Sequence, residues 1–414
     1  MTLKIGWVSN APWVGSGYGM ATAEITRKLR DAGHEVSILA NHGLAGSTIG
    51  WEGIPILPQG IDGYSNDLHP AALLNLAQGA KDRTLGITLF DVWVYKNPQW
   101  DESPLLSWTP VDHDPVPDEV KDFFNRPGRK WAMAMSRFGE AKLLEAGLPR
   151  DRVFYSPHTF NPNIFTPEGA TMRGTLAVPE EAHLTMINAA NKGNTPIRKA
   201  WFEQLYAWAR FAEKHDDAYL YIHSEMSGIA NGARLDRMLQ RVKAPMDRVR
   251  VVPQYEYRMG IEHQIVANLH RSSDVLLHAT LGEGFGVSQL ESMAVGVPIV
   301  ATAHSAMTEL NGSGWLVEGQ IAYDEFQGGA LWKVPNIEAI IAALEESYLV
   351  SKDPEKKKEY RDRAISFAAD YTTDKVFEKY WVPTLAHLEG ELKKPHLGAG
   401  VNREQRRAAL RGKK

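Results

Sequence analysis

Two series of short apolar, β-rich runs alternate with amphipathic helical stretches on either side of a Gly-, Pro- and acid-rich segment at residues 168–181. No other feature constrains the fold as much. The first series places strands at 3–9, 35–40, 84–90, 105–109, 130–135 and 153–156, with helices over 18–32 and 138–146. The second places strands at 184–190, 219–223, 248–252, 274–278, 298–301 and 315–317, again with helical segments between them. Strands alternating with helices build a parallel sheet covered on both faces, so the pattern predicts an α/β chain of two doubly wound domains in tandem. From residue 336 the pattern is purely helical, over 338–348, 356–371 and 373–392, after which Pro395, Gly398 and Gly400 release a polar tail. The expected division is 1–166, a linker over 167–182, 183–365, helices over 366–392 that pack back on the first domain, and a basic tail over 393–414. Ligands of paired doubly wound domains sit at the carboxyl ends of the strands, which makes the crevice between the domains the expected site.

Composition narrows the chemistry. The 414 residues include no cysteine, which removes disulfides, thiolate catalysis and cysteine-ligated metals. No apolar run reaches the length of a membrane span and the N-terminus enters a strand without an apolar leader, so the expected compartment is the cytoplasm. The net charge is −4, with eight Lys/Arg and one acid in the last 22 residues. The acidic body is a poor nonspecific binder of nucleic acid, which leaves the tail or a local groove for any such contact.

The most informative segment is Leu281-Gly282-Glu283-Gly284-Phe285-Gly286-Val287-Ser288-Gln289-Leu290-Glu291. A strand feeds a Gly-rich turn that opens a helix at Phe285 or Gly286, and the free N–H groups and dipole of that helix start form an anion site. Glu283 lies on the loop in front of the helix. Glu291 lies about five residues inside it, ~7–8 Å further along the axis. Two carboxylates flanking a phosphate-sized site suit a ligand with hydroxyls on both sides of its phosphates, as a nucleotide-sugar has.

The same segment resembles the E-x7-E signature of retaining glycosyltransferases of the GT-B fold, the glycogen-synthase and sucrose-synthase-like group. The resemblance continues through Gly296-Val297-Pro298-Ile299-Val300-Ala301-Thr302, Glu309 and Gly314-Trp315-Leu316-Val317. Upstream it includes Gly33-His34-Glu35-Val36, Met135-Ser136-Arg137-Phe138 and the linker entry from Phe160 to Pro167. It implies two Rossmann-like domains facing a central crevice, with C-terminal helices. It also implies that Glu291 holds the ribose, Glu283 the donor sugar hydroxyls, and the backbone of Gly284, Phe285, Gly286 and Val287 the phosphates or sugar. The family's Arg and Lys for the diphosphate depart from the usual spacing in this chain. Lys199 matches the Lys, and either Lys192 or Arg198 supplies the second charge. Gly17, in the cluster Gly15-Ser16-Gly17-Tyr18-Gly19, is the expected first-domain backbone contact, and His113 the expected histidine at the donor sugar. No cofactor is implied beyond the nucleotide-diphosphate sugar as co-substrate.

Other readings are weaker on the residues. The glycine cluster lacks the G-x-G-x-x-G spacing, and the second strand ends without an acid for an NAD ribose, which disfavours a dehydrogenase. Asp112-His113-Asp114 has the D-x-D form of a metal site but is expected to end a first-domain strand without metal. Asp91, His158, His223 and Glu225 read as cap or network residues, and Trp201 and Trp208, seven apart on a helix, as core. A nucleotide-sugar epimerase or a non-catalytic sugar-nucleotide or glycan-binding scaffold are the alternatives, with a glycan phosphorylase disfavoured for want of a pyridoxal-phosphate lysine context. The tail Asn402-Arg403-Glu404-Gln405-Arg406-Arg407 resembles the short basic ends of actinobacterial phage proteins, which points to host cytoplasm and to virion protein or a modified DNA base as acceptor. A small molecule or glycan acceptor stays open beside these.

Overall fold

The computed structural model describes residues 2–193, 197–324 and 330–394; the tail from residue 395 onward lies outside the described residues. Among the described residues the first half builds an eight-stranded sheet in the order β3-β4-β2-β1-β5-β6-β7-β8. Its strands are β1 (Lys4–Ser9), β2 (Glu35–Ala40), β3 (Ile49–Trp51), β4 (Ile54–Leu57), β5 (Thr84–Thr88), β6 (Leu105–Thr109), β7 (Lys130–Ala134) and β8 (Val153–Tyr155). All pairings are parallel except β3 with β4. The β3–β4 hairpin has no counterpart in the sequence reading. It turns at Glu52 and Gly53, both in the left-handed region with φ of 49° and 80°, as a two-residue hairpin loop requires.

The second half builds a six-stranded, all-parallel sheet in the order β11-β10-β9-β12-β13-β14. Its strands are β9 (His183–Asn188), β10 (Ala218–His223), β11 (Val249–Val251), β12 (Val275–His278), β13 (Ile299–Thr302) and β14 (Gly314–Val317). Both sheets bury continuous apolar strands, including Leu220 and Ile222 of β10 and Val275, Leu276 and Leu277 of β12, as sheets covered on two faces must. Trp201 and Trp208 are fully in this core. A second hairpin, β15 (Gly319–Asp324) with β16 (Ala330–Pro335), follows β14. It too is absent from the sequence reading.

Helix starts follow the capping residues. Ser16 accepts from the Gly19 amide at 3.1 Å, Ser136 from Gly139 at 2.9 Å and Asn336 from Ala339 at 3.0 Å. The C-terminal helices return to the first domain. Trp381 sits between Trp7 and Trp108, ring centroids 5.8 and 5.2 Å away, and Arg129 binds the carbonyls of Glu391 and Leu392 at 2.9 and 3.1 Å.

One further contact joins the two domains near the crevice. The Glu309 carboxylate of the second domain accepts from the Arg137 amide at 3.0 and 2.8 Å and from Phe138 at 3.3 Å. Those amides open the helix Arg137–Glu145, so the bond is charge-assisted and favoured by the helix dipole. Glu309→Ala is expected to cost about 1–3 kcal/mol in urea unfolding, with Glu309→Gln intermediate. An unchanged midpoint in both variants would remove Glu309 as a tie between domains.

Candidate active site

The strand β12 ends at His278, and the chain then makes the Gly-rich turn the sequence anticipates. The helix that follows is Val287–Ala294, starting one or two residues later than expected. The reason is Gly286, which takes φ 107° as the cap residue, a left-handed conformation open to glycine at little cost. Among the described residues, the amides of residues 284–288 make no hydrogen bond. They form the free end of a helix at the mouth of the crevice. Gly17, the first residue of the helix Gly17–Asp31, lies directly opposite: a Cβ on it would come within 3.2 Å of Val287. Two helix N-termini from different domains therefore meet here. Phe285 turns inward instead, buried against His158 (5.3 Å) and Tyr371 (6.2 Å).

Glu283 is the hub of the site. Its carboxylate accepts from Lys199 Nζ at 2.5 Å, Arg198 at 2.8 Å, His278 Nε2 at 3.1 Å and Thr280 Oγ1 at 3.1 Å. Its own amide donates to Ser305 Oγ at 2.9 Å. Burial would raise this carboxyl, but Arg198, Lys199 and His278 hold it well below the usual range. Burial acts on Lys199 with Arg198 beside it, and together they bring its ammonium down to about 8 against the pull of Glu283. Arg198 stays charged, since Glu283 and Asp112 outweigh its burial. The two cations are fixed by backbone as well: Leu281 N donates to the Arg198 carbonyl at 2.8 Å and buried Gln204 Nε2 to the Lys199 carbonyl at 2.6 Å.

Glu291 occupies a different environment. It is buried, with His270 Nε2 3.9 Å from its carboxyl group. Burial pushes its carboxyl up to about 8 and the His270 imidazole down to about 3. Both groups are therefore held neutral near pH 7. Asn188 Nδ2 sits 3.3 Å from His270 Nε2, and Gln289 has a buried amide without a partner among the described residues. Buried polar groups are normally hydrogen-bonded, so this set without protein partners is exceptional.

The facing wall belongs to the first domain. Asp112 pairs with His113 Nδ1 at 2.5 Å and lies 3.6 Å from Arg198. Burial raises it, but His113 and Arg198 hold it below the usual range. Asp114 turns away to Lys142 at 2.9 Å, so the two acids of the D-x-D segment point to different partners. Asp91, three residues beyond β5, is pushed up to about 7 by burial and by Asp112. Lys192 is exposed on the opposite loop and acts on Asp91 and His42 through charge rather than contact. His158 is a core residue under Trp108, His223 bonds Tyr221, and Glu225 caps the turn at Ser227 and Gly228.

Residues 193–346 match the family described as Glycosyl transferases group 1. The second half carries a glycosyl transferases group 1 domain. This domain contains Arg198, Lys199, Glu283 and Glu291, and it makes the chain a glycosyltransferase. No curated protein matches the sequence. Among solved structures, the fold is similar to a glycosyltransferase from Rickettsia africae (TM-score 0.68, 16% identity, 95% of this chain and 100% of that one). It is also similar to sucrose-phosphate synthase from Thermosynechococcus elongatus (0.70, 15%, 94% and 99%). A third is HepE of Anabaena in complex with UDP and glucose (0.65, 16%, 93% and 99%). At these identities the likeness establishes the GT-B fold.

Several residues of the group 1 domain escape the sequence reading: His278, Thr280, Gln204 and Ser305, all of which orient Glu283 or Lys199. His278 carries a usable signal, a histidine at the carboxyl end of a strand just before the Gly-rich turn. The Lys199 ammonium also gives a pH dependence to test. Because it loses its proton near pH 8, a rate that uses its charge falls above that pH. Lys199→Arg is expected to remove the falling limb, since a guanidinium keeps its proton. An unchanged pH profile in that variant would take Lys199 out of the rate-determining step.

Proposed function

We propose that the protein is a retaining glycosyltransferase that moves a sugar from a nucleotide-diphosphate sugar to an acceptor hydroxyl, without a metal ion. The observation that carries this reading is the Glu283 hub: two cations held by one carboxylate beside the free amides of residues 284–288. A diphosphate arriving at those amides competes with Glu283 for Lys199 and Arg198. As the cations turn to the diphosphate, Glu283 is released to accept from the hydroxyls of the sugar. Of the two candidates for the second cation, Arg198 is the one in bond contact with the hub, while Lys192 faces Asp91 and His42. Glu291 takes the ribose hydroxyls from inside its pocket, and His113 borders the sugar from the first domain.

In the transfer itself, the bond from the anomeric carbon to the phosphate oxygen breaks and its electron pair leaves with the diphosphate. The acceptor oxygen forms the new bond on the same face, and its proton passes to the departing phosphate. Lys199, Arg198 and the helix-start amides stabilise the charge that grows on the leaving group, the largest usual contribution in such reactions. The donor is read as a nucleotide-sugar also from the likeness to HepE, of which one structure holds UDP-glucose. The phage-like tail supports virion protein or a modified DNA base as acceptor.

A thermal-shift panel of nucleoside diphosphates and their sugars tests the reading. A ligand at 100 times its Kd stabilises by about 2.7 kcal/mol, and a shift by one nucleotide series is the expected result. No shift with any of them would overturn it. Transfer is expected to survive EDTA; loss of activity restored by manganese would instead give the diphosphate to a metal held by Asp112 and Asp114.

A further inference from the structure

A group of aromatic rings gathers on the first-domain wall of the crevice. Trp13 follows β1, His42 follows β2 and Phe90 follows β5, at the carboxyl ends of strands, where ligands of such sheets sit. Tyr64 joins them from the loop after β4, and Tyr18 from the start of the helix Gly17–Asp31. Phe90 is buried among them, with Tyr18, Tyr64 and His42 edge-on around it at centroid distances of 5.0, 5.8 and 6.0 Å. His42 and Tyr64 also meet each other at 6.0 Å. The outer rings stay open nonetheless: Trp13 is 47% exposed, Tyr64 38%, and His42 is exposed as well.

Apolar side chains exposed singly are ordinary, whereas these adjoin one another and are held in place. Trp13 Nε1 donates to the Gly43 carbonyl at 2.8 Å. Gly43, at φ 97°, leaves free the space that a Cβ would take from Val14, 2.4 Å away. In the Tyr64 loop, Asp62 accepts from the Tyr64 and Asn66 amides at 2.9 and 3.2 Å, and Asp67 from the Ile61 amide at 2.8 Å. Asn66 ties that loop down, donating to the Val94 carbonyl at 3.0 Å and accepting from Trp100 Nε1 at 2.9 Å. A loop so fully bonded that still turns a tyrosine to solvent is a preorganised platform, which takes a flat partner at little ordering cost.

We propose that this aromatic shelf holds the acceptor and that the acceptor hydroxyl belongs to a sugar residue, so that the enzyme lengthens a glycan already in place. This rests on the reading of the crevice as a donor site. Tyr18 adjoins Gly17, which faces Val287 of the donor loop, so the shelf begins beside the donor. A pyranose has C–H groups on its faces, which lie well on the electron-rich faces of aromatic rings, and hydroxyls around its rim. A nucleic acid would stack too, but it needs lysines and arginines along its phosphates. Here three acids, Asp62, Asp67 and Asp91, stand on or beside these segments, against Lys96 near Asp62 and Lys192 across the crevice. A neutral ring fits that balance. In the transfer, an oxygen of the acceptor sugar bonds the donor's anomeric carbon as the bond from that carbon to the phosphate oxygen breaks, and the hydroxyl proton leaves on the diphosphate. A separate glycosylation must therefore attach the first sugar to its carrier before this enzyme acts.

The test first fixes the donor by acceptor-free sugar release from UDP-, ADP-, GDP- and dTDP-glucose. Methyl glycosides of glucose, galactose, mannose and N-acetylglucosamine are then compared with a Ser/Thr peptide and a DNA duplex carrying 5-hydroxymethylcytosine, the products being read by mass. The expected result is a disaccharide from at least one methyl glycoside, with donor consumption about tenfold or more above release to water, and no sugar on peptide or DNA. In Trp13→Ala and Tyr64→Ala the ratio of transfer to release should fall about tenfold through a higher KM for the glycoside, a usual scale for truncating an aromatic anchor. Trp13→Phe and Tyr64→Phe keep a ring face and should retain most of that ratio. Calorimetric affinity for the free diphosphate within about twofold of wild type shows that a variant is folded, and the two Ala variants lie on separate loops, so one serves if the other fails to fold. Transfer to peptide or DNA in place of the glycosides, no glycoside product, or Ala variants with an unaltered ratio would each overturn the proposal while leaving the donor reading intact. No release from any of the four donors would instead overturn the donor-site reading, and the acceptor shelf with it.

Discussion

Glu283→Gln is expected to lower folding stability by about 2–4 kcal/mol and donor cleavage by on the order of a hundredfold. Removing one partner of a buried ion pair leaves the other charge uncompensated, at about 3–5 kcal/mol. The expectation here is somewhat less because a third of the Arg198 side chain is open to solvent. Glutamine also turns an NH2 toward donors, since Lys199, Arg198, His278 and Thr280 all donate to this carboxylate. The cations then have nothing to fix them at the diphosphate, and the loss of one such group costs about 2.7–4 kcal/mol of transition-state stabilisation. The sign with pH follows from the lowered carboxyl. Its contribution is full above the unfolded glutamate value of about 4.3 and is lost only as the pH falls through the still lower folded value. The difference between wild type and variant should thus be constant from pH 5 to 7 and shrink in strong acid. Urea unfolding across that range, with single-turnover rates, checks both halves. A Glu283→Gln protein of normal stability and rate would show that the hub is decorative.

Glu291→Gln is expected to do the opposite to stability. The folded protein holds this carboxyl to about 8, whereas the unfolded chain ionises it near 4.3. A raised folded value means that the wild type has its full stability below about pH 4.3 and loses it as the pH rises toward 8. Glutamine cannot ionise, so the variant should be more stable by about 2–4 kcal/mol at pH 7–8, with a flatter pH dependence. Nucleotide binding should suffer in return. Ribose hydroxyls donating to Glu291 favour its ionised form, so binding at pH 7 is expected to release close to one proton in the wild type and none in Glu291→Gln. Calorimetry in two buffers of different ionisation enthalpy reads that proton directly. Equal proton release by both proteins would place the ribose elsewhere.

The contrast between these two glutamates marks how far the sequence could be read. Strands such as 35–40, 105–109 and 219–223 were legible because buried parallel strands are written as short apolar runs between turn residues. The anion-binding helix start was legible because Gly286 and its neighbours leave little choice of backbone. The partners of Glu283 were not, since Arg198 and Lys199 lie more than eighty residues upstream and only the packing of β9, β12 and their loops brings them together. Glu309 is a still longer case, its bond reaching the amides of Arg137 and Phe138 across the domain boundary. The hairpin at 319–335 was missed although Ile321, Tyr323 and Leu331 are strand-forming residues. Trp332 and Val334 pack on a small apolar cluster with Ala200 and Leu281 while Ile321 and Tyr323 stay exposed, so the alternation carries little hydrophobic contrast. The 49–57 hairpin was missed because strands of three and four residues fall below any usable period.

The central claim, cleavage of a nucleotide-sugar with retention at the anomeric carbon, has one direct measurement. The nucleotide-glucose that gives the largest thermal shift is incubated with the protein in the absence of acceptor, and the anomeric proton of the released sugar is followed by NMR from the first minutes. Water replaces the acceptor on the same face in a retaining enzyme, so an α-linked donor is expected to give α-glucose first, with β-glucose growing in only at the rate of mutarotation. β-Glucose as the first product, or no release of sugar and nucleoside diphosphate at all, would contradict the account.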